Sequence, residues 1–72
     1  MQQINQYIME SISGKQLGAI LEREGITQAE FSRLIGANRQ SVNAWIKGRW
    51  NIGKGWQLNI IRYFKDNDID TE

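Results

Sequence analysis

A chain of 72 residues with 9 Lys plus Arg against 8 Asp plus Glu, and 40% hydrophobic residues, holds one small domain. A domain of that size buries only about 60% of the surface that its unfolded chain exposes, so the core is marginal and a deep enzyme pocket is not expected. Cys, His and Pro are all absent, which excludes disulfide frameworks, thiolate zinc sites, serine–histidine triads and nucleophilic cysteines and leaves mostly binding functions.

The first residues, MQQINQYIMESI, have no basic region and no long apolar run, so they read neither as a signal peptide nor as an anchor. No stretch approaches the roughly 18 to 20 apolar residues of a membrane span. The expectation is a cytoplasmic protein, of the bacterial nucleoid or of a phage in its host. Within residues 1–12, Ile4, Tyr7, Ile8 and Ile12 mark one face of a short amphipathic helix or arm. Ser13 and Gln16 fit a capping box, after which Leu17, Ile20 and Leu21 continue a helical stripe to Glu24, and Gly25 supplies a left-handed stop. Thr27 and Glu30 form a second capping box for a helix whose buried side is Ala29, Phe31, Leu34 and Ile35.

Gly36 ends that helix, and Asn38 is a suitable N-cap for the next, which runs through Val42, Trp45 and Ile46 to Gly48. A last helix begins near Gly53 and carries Trp56, Leu58, Ile60, Ile61, Tyr63 and Phe64 before an acidic tail over residues 66–72. No segment alternates as a strand would. The expected fold is an all-α bundle of about five short helices, with Trp45 and Trp56 in the core.

Charge is polarised along this bundle. Residues 1–30 hold four acids and two bases, and the tail holds Asp66, Asp68, Asp70 and Glu72. Between Phe31 and Lys65 there are seven bases (Arg33, Arg39, Lys47, Arg49, Lys54, Arg62, Lys65) and no acid. A carboxylate in that stretch would be repelled by a DNA backbone carrying one charge per roughly 1.7 Å of duplex axis.

Helix, short glycine turn, helix over residues 27–48 has the shape of the DNA-binding helix-turn-helix, although many helical bundles share it. The residue chemistry sharpens that reading. With Val42 and Trp45 inward, Arg39, Gln40, Asn43 and, at the edge, Ala44 and Lys47 face outward. Arg addresses guanine O6 and N7, Gln and Asn address adenine N6 and N7, and an Ala methyl meets a thymine methyl. Each of these residues taken singly is also an ordinary solvated surface residue. Lys47, Arg49 and Lys54 suit phosphates, which position a protein without reading sequence. Trp50 is the one tryptophan placed to touch a DNA backbone through its indole N–H, with partial burial as the alternative. Free N–H groups at Gly53, Lys54 and Gly55 suit a phosphate at the positive end of the last helix, and a positive φ explains Gly53 equally well.

Leu17 to Phe64, about two thirds of the chain, resembles the lambda-repressor-like, Cro-type helix-turn-helix proteins, also called the XRE family, common as phage repressors and antitoxins. The resemblance is carried by LGAILEREGITQAEFSRLIGANRQSVNAWIKGR, with the signatures ITQAEFSRLIG and SVNAWIKG. It implies that Arg39, Gln40, Asn43 and Ala44 read bases. It further implies that Gln28 contacts a phosphate and braces Arg39, and that Ser41, Lys47 and Arg49 contact the DNA backbone; Thr27, Asn38, Trp50 and Lys54 are expected beside them along that backbone.

Three departures stand out. The family's fifth helix has no counterpart after Phe64, residues 1–12 are additional, and Trp50 and Ile52 replace a loop proline. The added segment is expected either to cover exposed core or to give a dimer contact through Ile4, Tyr7 and Ile8.

The function expected is a sequence-specific, double-stranded DNA-binding repressor acting as a homodimer on a palindromic operator, with no catalysis, metal, cofactor, small-molecule ligand or membrane partner. The alternative is an antitoxin that autoregulates through the same helix-turn-helix. A third reading uses the fold for protein contact only. An enzyme is the least expected class, because no metal-ligand cluster or phosphate loop accompanies the carboxylates.

Overall fold

The computed structural model describes residues 11–71. These form four helices, α1 (Gly14–Glu24), α2 (Gln28–Ile35), α3 (Arg39–Ile46) and α4 (Lys54–Asp66). Among the described residues there is no strand, and no helix is long and apolar enough to cross a membrane. The helix expected within residues 1–12 falls almost wholly outside the described residues. Ser11 and Ile12, at the start of the described residues, are non-helical, and the described residues hold four helices. Ile12 is nevertheless buried in the core, at 2% exposure.

Local signals set the helix ends. Ser13 caps α1 with a complete capping box, its Oγ accepting from the Gln16 amide at 3.1 Å while the Ser13 amide donates to the Gln16 Oε1 at 2.8 Å. Thr27 makes half of such a box: the Glu30 amide donates to its Oγ1 at 3.1 Å, without the return bond to the Glu30 carboxylate. Gly36 ends α2 at φ 74°, a left-handed conformation that a Cβ would strain, and Ala37 and Asn38 complete the turn into α3.

Leu17, Ile20 and Leu21 of α1, Phe31 of α2, Val42 and Trp45 of α3, Ile52, and Ile60 and Phe64 of α4 make one core with Ile12. Phe31 lies at its centre with no exposed surface, stacked on Phe64 at 5.8 Å and edge-on to Tyr63 at 5.8 Å. Truncating a phenylalanine so placed costs about 3 to 5 kcal/mol, comparable with the roughly 5 kcal/mol stabilising a small domain. Trp45 is buried as expected. Trp56, tilted against it at 5.7 Å, is only partly covered.

Leu34 departs from expectation, being 50% exposed. The inward side of α2 follows the i, i+3, i+4, i+7 series through Gln28, Phe31, Ser32 and Ile35, which leaves Leu34 about 100° off axis from Ile35. Ser32 takes the buried place, and its hydroxyl donates to the Ala29 carbonyl at 2.7 Å.

α3 packs between α1 and α2, and α4 against α2. The acidic tail folds back: the Ile69 amide donates to the Phe64 carbonyl at 2.8 Å, Ile69 packs on the core, and the Arg23 guanidinium donates to the Asp70 carbonyl. The closest approach is between α1 and α3. A Cβ on Gly14 would stand 1.7 Å from the Trp45 carbonyl oxygen, and one on Gly18 would stand 2.9 Å from the Ile46 Cγ2. The first neighbour is backbone and cannot yield, whereas the second is a methyl on the branched Cβ of Ile46, which yields only by a small shift. Gly14→Ala should therefore destabilise the fold by at least about 1 to 3 kcal/mol, lowering the melting temperature by several degrees. Gly18→Ala should cost less than Gly14→Ala, since helix propensity offsets part of the crowding. Thermal unfolding of both variants by circular dichroism checks this, and equal melting temperatures would refute the close approach.

Candidate nucleic-acid interface

The site grows from the two ends of the α2–α3 corner. Gln28 is the first residue of α2, set there by the Thr27 cap, and Arg39 is the first residue of α3. Asn38 caps α3, its side-chain oxygen accepting from the Gln40 amide at 2.7 Å. Because Val42 and Trp45 are turned into the core, Arg39 and Gln40 are exposed and Asn43 is half-buried beside Gln28.

Gln28 and Asn43 are joined directly: the Asn43 Nδ2 donates to the Gln28 Oε1 at 3.0 Å. The expected brace from Gln28 to Arg39 is thus replaced by one to Asn43, which stands one helical turn further along α3. The bond uses one N–H of the Asn43 amide and leaves the other N–H and the Oδ1 without a partner among the described residues. Those are the donor and acceptor that asparagine needs for the N7 and N6 edge of adenine.

Beyond α3 the chain turns on Gly48, at φ 78°, and its next two amides return to the last turn of the helix. The Arg49 and Trp50 amides both donate to the Ala44 carbonyl, at 2.9 and 3.3 Å. Two residues on, Ile52 is buried, and its carbonyl accepts from the Gln57 Nε2 at 2.9 Å. The loop is therefore pinned at both ends while Arg49 and Trp50 project outward.

Gln28, Arg39, Gln40, Asn43, Ala44, Arg49 and Trp50 line one open concavity, with two guanidiniums and no carboxylate among them. Ala44 corrects the expectation: at 7% exposure it lies on the floor of this groove and not on an outward edge, because the returning loop closes over it. The other expected residues do not line the groove. Thr27 and Asn38 are exposed with a side-chain oxygen engaged in capping, Ser41 is half-buried, Lys47 borders the neighbouring hollow between α1 and the loop, and Lys54 is exposed in the first turn of α4. Gly53 has φ −60°, so a positive φ does not explain it.

Sequence reasoning missed the Gln28–Asn43 bond and the anchoring of the loop on Ala44. The first joins residues 15 apart across two helices and has no short-range signal, whereas the second was foreshadowed only by the glycine at position 48. Compared with protein-family models, with curated proteins and with solved structures, the chain matches none.

The Gln28–Asn43 bond is open to a double-mutant cycle. Gln28→Ala and Asn43→Ala, followed by urea unfolding alone and together, should show a coupling of about 1 kcal/mol. Strictly additive effects would mean that the two amides do not support each other.

Proposed function

We propose that the chain is a sequence-specific, double-stranded DNA-binding transcriptional regulator in which α2, the turn and α3 act as a helix-turn-helix, in keeping with the Cro-type resemblance of its sequence. The observation that carries this reading is the acid-free groove in which Arg39, Gln40 and Asn43 of α3 stand beside Gln28, Arg49 and Trp50. A face solvated for its own sake would hold Glu and Lys, whereas guanidiniums and carboxamides match the hydrogen-bonding edges of purines. The preoriented Asn43 amide supports it further. α3 lies in the major groove, Arg39, Gln40 and Asn43 address base edges, and Arg49 with Lys47 neutralises phosphates. Repression follows from occupying a promoter.

A second reading has its own observation. Leu34 and Leu58 are 50% and 54% exposed and do not line this groove, which leaves apolar surface for a protein. A second copy of this chain there gives the homodimer that a palindromic site requires, whereas a toxin protein there makes the chain an antitoxin.

Selection of bound duplexes from a random-sequence library tests the reading, with wild type, Arg39→Ala and Arg49→Ala compared at several salt concentrations. Wild type should enrich a defined motif. Arg39→Ala should lose about 1 to 3 kcal/mol on it and relax one base position, while Arg49→Ala should weaken all sequences alike and lower the salt slope by about 1. Sequence-blind binding by wild type would refute base reading.

A further inference from the structure

Trp50 is 56% exposed and belongs to the same groove as the carboxamides and guanidiniums of α3. Its exposure does not come from a loose loop, since its own amide and that of Arg49 are tied to the Ala44 carbonyl and Ile52 is sunk in the core. Trp45 and Trp56 pair with each other against the core, so the third indole is not needed to complete it. A rigid loop thus holds a large apolar ring in water beside polar groups suited to base edges.

The polar members of the groove leave one feature of the major groove unmatched. Guanidinium and carboxamide groups suit guanine and adenine, while the only apolar feature on a base edge there is the C5-methyl of thymine. Ala44, the residue type expected to meet that methyl, is withdrawn to the groove floor at 7% exposure. Among the described residues, Trp50 is the one apolar side chain that lines the groove and remains largely exposed.

Resting on the duplex-DNA reading above, we propose that Trp50 is a specificity-determining residue whose indole packs against a thymine methyl at the edge of the bound half-site. Its role is then base discrimination, beyond the backbone contact through the indole N–H that its position in the sequence implies. An aromatic ring suits this role because it presents a large apolar surface with only two side-chain torsions to fix.

The duplex enriched from the random library is the probe, with its thymines replaced one at a time by deoxyuridine, which keeps base pairing and removes only the methyl. Wild type should lose about fourfold in affinity at one thymine of the half-site, the effect of one buried methyl. Trp50→Ala should bind the thymine duplex more weakly and be indifferent to the replacement. Trp50→Phe should keep part of the effect, and neither variant threatens the fold because the ring lies outside the core. Indifference of wild type at every thymine would overturn the proposal while leaving the DNA reading intact, as would an equal loss in Trp50→Ala. Failure to enrich any sequence, or tighter binding of the single strand than of the duplex, would overturn both.

Discussion

Gly14 meets the carbonyl of Trp45 so closely that no side chain fits between the start of α1 and the end of α3. In a domain with so little interior, such backbone contact fixes the direction of a two-turn helix more firmly than side-chain packing alone, because backbone atoms have no rotamers with which to yield. With one end of α3 set against α1 and Val42 locked in the core behind Phe31, the rotation of α3 about its own axis follows. Arg39, Gln40 and Asn43 then have one direction in which to point.

The same constraint extends into the loop. Where α3 stops, the Ala44 carbonyl gathers the amides of Arg49 and Trp50, so the end of the helix and the loop behind it move as one piece. The groove between them is built from anchored backbone and from the Gln28–Asn43 bond, which ties α2 to α3 across the turn. No carboxylate is among the residues that line the groove, and the acidic tail is held against α4 by the Ile69 amide on the Phe64 carbonyl and against the end of α1 by Arg23. A chain with a net charge of only +1 thereby keeps the described carboxylates apart from the two guanidiniums of this groove. Such separation favours an anionic partner on one face without the solubility and repulsion problems of high net charge.

Much of the fold was legible because its signals are local. The Ser13 and Thr27 caps, the stops at Gly25 and Gly36, the Asn38 cap and the stripe of Leu17, Ile20 and Leu21 each act within a few residues and stand where the sequence indicated. Less legible was what depends on the rotation of one helix against another. Leu34 looked apolar and therefore inward, yet α2 turns Ser32 to the interior instead, where its hydroxyl bonds to the Ala29 carbonyl of its own helix. Gly14 and Gly18, four residues apart on one face of α1, marked the contact with α3 in the sequence, but nothing local separates such glycines from weak helix positions. In the site, the outward placement of Arg39 and Gln40 followed from helical period alone. The burial of Ala44 and the partner of Gln28 required the path of the loop and the spacing of the helices.

The most direct test of an α3 reading groove is to map the interface itself by titrating 15N-labelled protein with a short mixed-sequence duplex at low salt. Amide shifts concentrated at Gln28, across Arg39 to Ala44 and at Arg49 and Trp50, with little change over Leu58 to Asp66 of α4, are the expected result. Shifts centred on α4 or on the acidic end of α1, or none at all, would contradict the assignment of this groove to DNA.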